Sequence, residues 1–233
     1  AYTDAPISFL DYPIIDNELL YRIHDVDMVQ QVKSTPDFWG ALVSASGTVD
    51  ASRRIFTNDI NNAFVFTGFG DHHAGTSFFG GGCYFNGAAI ALTELRQLYG
   101  IRKISILDTD AHHGDGTWSI FEQDNDVLYS CFCREGNPSI NNNFDIELPQ
   151  ALTDESYLAL VESEFISGLS NFEPSAIFWN FGYDGTLGDY GDLGITQDFH
   201  VALAKLLKKA ADQLCSGRLL VVLCGGSNRQ TAN

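Results

Sequence analysis

Five side chains able to ionise or bind a metal fall within the eight residues Asp108-Thr109-Asp110-Ala111-His112-His113-Gly114-Asp115. They follow residues 101–106, a run rich in isoleucine that reads as a buried parallel strand. In an open α/β sheet, ligands bind beyond the carboxyl ends of strands, which is where this cluster lies. Alternation along an extended chain puts Asp108, Asp110 and His112 on one side. Two carboxylates and an imidazole aimed at one point would hold a divalent cation. The plainer alternative is an acidic loop that caps the sheet and is solvated. One Asp would suit that reading. Three Asp and two His, directly after an apolar strand and flanked by Gly, suit it poorly.

Other strand ends carry chemistry as well. Residues 63–67 read as a strand that runs into Gly68-Phe69-Gly70-Asp71-His72-His73-Ala74-Gly75. There two adjacent imidazoles sit between glycines, which let backbone approach closely. Residues 176–182 form a buried strand that delivers Tyr183-Asp184-Gly185, and residues 219–224 a last strand that exits through Gly225-Gly226-Ser227. Gly80-Gly81-Gly82 would suit a phosphate cradle, but no P-loop Lys-Ser/Thr follows. His24 is a lone imidazole and reads as satisfied or exposed rather than functional.

The elements that must position these residues alternate between strand and helix. Apolar spacing predicts a helix over 17–32, broken at Ser34-Thr35-Pro36, and a second over 37–56, interrupted around Ser46-Gly47. A helix over 84–99 has small residues for close packing on a sheet and Gly100 just past its end. A short helix over 117–123, a strand over 127–132 and a polar loop over 135–143 come next. Thr153 caps a helix running to about Gly168, with Asp154 and Glu155 in its first turn. Thr196 caps a long helix ending near Gly217. This alternation implies an α/β fold in a single domain, with a mainly parallel sheet and helices on both faces.

At 233 residues and 45% hydrophobic content the chain can bury one substantial core. Thirteen Lys and Arg against 30 Asp and Glu give a net charge of −17, which argues against a nucleic-acid partner. An acidic surface favours cationic partners such as polyamines or lysine-rich peptides; it also serves solubility alone, and both readings stay open. The five cysteines are odd in number and lie mostly beside apolar runs. They read as buried free thiols in a reducing compartment, the cytoplasm, rather than a disulfide framework. Cys131 and Cys133 would share a strand face and a metal, although core packing accounts for so short a pattern more simply. No apolar run is long enough for a membrane span. The chain has no initiating Met and stops at Asn233 soon after a strand, so it reads as trimmed at both ends.

With these residues in view, the chain resembles the histone deacetylase and acetylpolyamine amidohydrolase family, of the arginase–deacetylase fold. The matching segments are Asp71-His72-His73-Ala74, Gly81-Gly82-Cys83-Tyr84-Phe85-Asn86, the run from Asp108 to Gly116, Gly182-Tyr183-Asp184, and Asp192-Leu193-Gly194-Ile195-Thr196. Weaker similarity spans most of residues 20–226. The resemblance implies that Asp110, His112 and Asp184 hold a metal, normally Zn²⁺, with the remaining positions left for water and a substrate oxygen. It makes His73 the general base and then the acid toward the leaving amine, with His72 its electrostatic partner. Asp108 and Asp115 are then the carboxylates that orient His72 and His73. His113 supports the loop. Gly82, Gly225 and Gly226 line the substrate channel, and the backbone around Asp110 and Ser130 resembles a monovalent-cation site, such as one for K⁺. Two carboxylates and one imidazole make a fairly hard site, so Fe²⁺ or Mn²⁺ are alternatives to Zn²⁺.

The implied activity is removal of an acyl group, acetyl first among them, from an acylated lysine, polyamine or small amine. Two departures from the family pattern bear on it. Ser227 stands where the family has a Tyr that stabilises the oxyanion, and loss of one such donor lowers rates by about 10²–10³. Tyr183 or a residue from a partner chain in an oligomer is the available substitute. Gly82 stands where an aromatic wall is usual, which leaves the channel wider or refilled by Phe78 or Phe79. The first departure motivates an alternative: a catalytically weak, metal-containing protein that binds acyl-amines. A binuclear manganese ureohydrolase of the arginase type, with Asp189 as the extra acidic residue, ranks last.

Overall fold

Residues 11–232 are described in the computed structural model. Six of its segments are strands: β1 (Asn62–Val65), β2 (Ile104–Asp108), β3 (Val127–Cys133), β4 (Asn143–Glu147), β5 (Ile177–Gly182) and β6 (Leu219–Gly225). They pair in parallel throughout, in the order β1-β6-β5-β2-β3-β4. Every residue of β2 and β3 is buried, as expected of strands covered on both faces. Alternation then sorts their side chains. Ile104 and Ile106 enter a core shared with helices α1 (Asn17–Leu20), α2 (Val26–Lys33), α3 (Phe38–Phe56), α4 (Gly87–Tyr99) and α5 (Asp115–Phe121). Leu107 enters the opposite core, shared with α6 (Asp154–Val161), α7 (Ser167–Phe172) and α8 (Gln197–Leu214). The α/β fold with helices on both faces is therefore as expected.

From β2 the chain moves outward through β3 to β4, then crosses back to β5 and on to β6. The direction of winding reverses between β2 and β5. In sheets of this kind the reversal opens a crevice at the carboxyl edge, the preferred position for a ligand.

Several boundaries differ from the sequence reading, each for a tertiary reason. The helix expected over 17–32 is two, because His24, in the turn between them, is drawn into the core. His24 Nδ1 hydrogen-bonds Gly75 O at 2.8 Å and its Nε2 accepts from Asn86 N at 3.1 Å, while Asp25 N donates to Thr76 O. α3 runs uninterrupted through Ser46-Gly47. A side chain at Gly47 would stand 3.2 Å from the Tyr12 ring, and Ser46 Oγ accepts from Ile15 N, so small residues there seat the segment that precedes α1. The helix from Thr153 passes Gly168 to reach Phe172 through a π-helical turn at Glu162–Ile166. β4 falls just after the stretch read as a polar loop. It is an edge strand, only partly buried, and lacks the apolar run that marks the central strands.

His24 also carries a testable pH effect. Burial, offset in part by the Gly75 carbonyl, holds its pKa down to about 4 from 6.5. Above pH 6.5 the ring is neutral in both folded and unfolded chains, and its contribution to stability is complete. Below pH 6.5 the unfolded chain takes up a proton that the folded chain refuses until about pH 4, so stability is lost over that interval. Between pH 7 and 4.5 this amounts to about 2–3 kcal/mol. Chemical denaturation of wild type and His24→Gln at both pH values should show that the variant loses less by this amount; parallel losses would contradict it.

Candidate active site and metal centre

The four exits singled out from sequence belong to β1, β6, β5 and β2, which are consecutive in the sheet. Their parallel pairing puts all four carboxyl ends on one edge. The β2 and β5 exits flank the point of reversal, and there one ligand atom each from Asp110, His112 and Asp184 lies within 4.8 Å of the others. His112 Nδ1 is 3.0 Å from Asp110 Oδ1 and 2.9 Å from Asp184 Oδ2. Both carboxylates are buried, and Asp184 Oδ2 has no hydrogen bond of acceptable geometry.

The electrostatics of this trio call for a cation. Burial raises the Asp184 carboxyl, the adjacent His112 ring lowers it, and the neighbouring Asp110 raises it further. Burial acts the same way on Asp110, but His72 and then His112 outweigh it and hold that carboxyl well below the usual range. His112, facing the Asp110 and Asp184 carboxylates, is pushed up to about 10. A proton shared among these groups does what a divalent ion would do better, since two buried carboxylates side by side are costly without positive charge. The donor set, one nitrogen and carboxylate oxygens with an orphaned buried oxygen among them, fits Zn²⁺, Fe²⁺ or Mn²⁺.

Alternation had placed Asp108 with Asp110 and His112, and this is corrected. The strand ends at Asp108, so the two-residue period ends there too. Asp108 Oδ2 instead takes hydrogen bonds from the Tyr129 hydroxyl at 2.9 Å and Asn180 Nδ2 at 3.2 Å, and lies 3.1 Å from His72 Nδ1; its Oδ1 accepts from Asp110 N. Asp115, at the start of α5, holds His73 Nδ1 at 2.7 Å through Oδ1. The two imidazoles lie 4.1 Å apart between ring centres, and His73 is 6.3 Å from His112. They differ in setting. His72 is buried; burial lowers its pKa, but Asp110 and Asp108 prevail and raise it to about 10. His73 keeps about a fifth of its side chain exposed, so it can reach an incoming substrate.

Backbone shape completes the pocket. A side chain at Gly225 would fall 2.1 Å from Asp110 Oδ2, and one at Gly81, whose φ is +58°, 2.5 Å from the His73 ring. Glycine at both positions lets main chain pass directly beside the candidate ligand and base. Nothing lies within 4 Å of where a Gly82 side chain would project. Phe79 packs on Tyr84 and Phe78 covers Gly75, so the missing wall stands open at Gly82. Ser130 Oγ is buried without a hydrogen-bond partner. His113 turns away from the trio toward Asp145.

The residue that sequence reading missed is Tyr190. Its ring stacks on His112 at 5.5 Å, and its hydroxyl oxygen accepts from Gly226 N at 3.2 Å. An oxygen that accepts there keeps its own O–H to donate. Partial burial pushes its pKa up to about 12, which keeps that proton in place at neutral pH. The Tyr183 ring, by contrast, lies against Gly226. The signal available in the sequence was an aromatic in the glycine-rich run Gly188-Asp189-Tyr190-Gly191, just beyond Asp184.

Asp189 fixes Tyr190 and Ser227 to each other. Its carboxylate accepts from Tyr190 N at 2.8 Å, Ser227 N at 3.3 Å, Asn228 N at 3.0 Å and Thr231 Oγ1 at 2.7 Å. Those oxygens are thereby committed to the protein rather than to a second cation. Asp189→Ala removes the acceptor shared by these four donors and is expected to cost about 2–3 kcal/mol of unfolding free energy, read by urea titration. A change under 0.5 kcal/mol would mean that water replaces the carboxylate freely.

The chain is similar to known proteins in sequence and in fold. Residues 24–233 match the histone deacetylase domain. A "Probable deacetylase" of Archaeoglobus fulgidus is 30% identical over 203 residues, covering 80% of this chain and 55% of that protein. Polyamine deacetylase HDAC10 of Danio rerio is 27% identical over 208 residues, 81% of this chain and 30% of that one. A histone deacetylase-like amidohydrolase of Pseudomonas aeruginosa is 24% identical over 253 residues, 95% of this chain and 67% of that one. The crystal structure of the HDA15 HD domain superposes with a TM-score of 0.84 at 24% identity, covering 96% of this chain and 71% of that chain. The chain spans about half the length of the archaeal relative. Among the described residues no helix is long and apolar enough to cross a membrane.

Proposed function

Because the chain belongs to the histone deacetylase domain family, we propose that it is a metal-dependent amidohydrolase that removes an acyl group, acetyl first, from an acylated amine. The observation that carries this reading is three convergent ligand atoms beside two histidine–carboxylate pairs. Asp110, His112 and Asp184 would hold the ion, Zn²⁺ in the first instance. When bound, such an ion polarises an amide carbonyl and makes water more acidic. His73 takes the proton of the attacking water and returns it to the departing nitrogen. Asp115, at 2.7 Å, fixes the ring so that Nε2 faces the reaction. His72, held by Asp108 and close to the ring of His73, is its electrostatic partner. The Tyr190 hydroxyl donates to the substrate oxygen as negative charge gathers on it, in place of the tyrosine replaced by Ser227.

The net charge of −17 favours a cationic amine such as a polyamine or a lysine side chain. Relatives named polyamine deacetylases support the first of these. The five free cysteines suit a reducing compartment such as the cytoplasm. Purified protein, assayed for bound metal and for acetate release from an acetyl-lysine peptide and an acetylated polyamine, tests the proposal. One equivalent of metal at this site and chelator-sensitive release support it. A metal-loaded protein inert on both substrates would sink it, and tight substrate binding without release would favour the weak-binding alternative.

A further inference from the structure

A second cluster of donor atoms lies on the far side of the loop that carries His112. Cys131 and Cys133 are two apart on β3, so their side chains share a face. Both are fully buried among core residues. Asp145 on β4 pairs in register with Cys131. From the loop after β2, His113 brings Nδ1 to 3.2 Å from Asp145 Oδ2 and 3.9 Å from Cys133 Sγ. One donor atom from each of the four residues lies within 4.8 Å of the others.

Two features separate this from ordinary core packing. The Asp145 side chain is only 3% exposed, and its Oδ1 has no hydrogen-bond partner. Nothing in apolar packing asks for a carboxylate there, and an unpaired buried oxygen is costly. The surroundings are also shaped for it. A side chain at Gly136 would fall 2.6 Å from Asp145 Oδ2, and Asn137 N donates to that oxygen. The Asn137 amide stands 3.0 Å from His113 Nε2, on the ring edge opposite the cluster. Turned over, that amide offers its oxygen to an Nε2–H, the arrangement that steadies a metal-bound imidazole.

We propose that His113, Cys131, Cys133 and Asp145 form a second, structural site for a divalent cation, Zn²⁺ by its donor set, separate from Asp110, His112 and Asp184. Two thiolates, one imidazole and one carboxylate make a closed tetrahedral set, the pattern of structural rather than catalytic zinc. Tetrahedral zinc with these donors has donor–donor separations of roughly 3.3–3.8 Å, so the cluster need only contract slightly. Binding is ligand exchange without redox chemistry: the two thiols release their protons to solvent and His113 binds through the Nδ1 lone pair. The ion would tie the edge of the sheet, β3 and β4, to the loop between His112 and Asp115. It would thereby brace a metal ligand on one side and the carboxylate that orients His73 on the other.

The Asp110, His112 and Asp184 site contains no sulfur, and this makes the test clean. Full-length protein stripped of metal and titrated with Co²⁺ is expected to bind two equivalents, one of them with sulfur-to-cobalt charge-transfer absorption in the near ultraviolet. Cys133→Ser should remove that band and one equivalent. Asp184→Asn should remove the other equivalent and keep the band, so this proposal and the one for the catalytic site fail independently. Zinc-edge EXAFS of the wild type needs no variant, and sulfur neighbours at about 2.3 Å are expected. A shell of nitrogen and oxygen alone, or cobalt binding without the charge-transfer band, overturns the proposal.

Discussion

His73→Ala is expected to lower kcat/KM for acetylated amine by about 10²–10⁴, the range that positioned acid–base catalysis contributes. His73 joins three properties that the neighbouring imidazole does not. Its Nδ1 is held by Asp115 at 2.7 Å, it keeps an exposed edge, and its ring faces His112 at 6.3 Å. His72 is enclosed and hydrogen-bonded to Asp108, a setting that fixes a charge rather than exchanging a proton with substrate. The loss in His73→Ala should fall on kcat, with bound metal unchanged, because no ligand atom is touched. Asp115→Asn should lose less, since the ring remains but its orientation and basicity are weakened. Steady-state acetate release beside metal analysis checks this. A His73→Ala enzyme within threefold of wild type would move the proton-transfer role elsewhere.

Tyr190→Phe is expected to cost on the order of 10²–10³ in kcat with little change in KM, the effect of removing one oxyanion donor. The phenol is stacked on His112, and its oxygen is anchored to Gly226 N, adjacent to Ser227. A serine hydroxyl at 227 is set back on a single carbon. Tyrosine reaching in from position 190 delivers the same group from a different loop. The paired experiment follows from that geometry. Ser227→Tyr should gain little in the wild-type background, where the donor role is filled, and should restore part of the rate lost in Tyr190→Phe. Should Tyr190→Phe run at the wild-type rate while Ser227→Tyr alone raises it strongly, the donor is missing in the natural chain, and the weak-binding reading is the better one.

What could be read in advance was whatever is local in the chain. The branched and aromatic runs of β2, β3, β5 and β6 announce buried parallel strands, and each ends in residues that no core would choose. Asp110, His112, His72 and His73 stand out because they lie within a few positions of a strand end. What could not be read depends on residues far apart. The break between α1 and α2 is made by His24 reaching Gly75 and Asn86, 51 and 62 positions away. β4 is partly exposed and polar, so its pairing with β3 leaves no hydrophobic mark. Alternation was carried one step too far past Asp108, where the extended backbone stops, and this grouped Asp108 with Asp110 and His112, whereas its carboxylate turns to Tyr129 and Asn180. Tyr190 lacks a local mark as well, since its role depends on β5 and β6 being neighbours and on Asp189 clasping the segment after Gly226.

The absence of tyrosine at 227 would suggest, residue by residue, an enzyme short of one donor. In the folded arrangement the loop after Asp184 sets a phenol beside His112 and clasps the segment after Gly226, and the Tyr190→Phe and Ser227→Tyr pair tests whether that phenol takes the donor's place. The open space beside Gly82 bears on the substrate rather than on the reaction. It leaves room on the channel wall for a bulkier acyl or amine group, and a substrate series of increasing size would show whether that room is used.

The whole account depends on a single divalent ion held jointly by side chains from the β2 and β5 exits. Anomalous diffraction at the zinc edge, on crystals of the active protein, measures that most directly. A peak is expected within about 2.0–2.2 Å of an Asp110 oxygen, a His112 nitrogen and an Asp184 oxygen. An enzyme fully active in the presence of chelator, with no peak among those three residues, would contradict it.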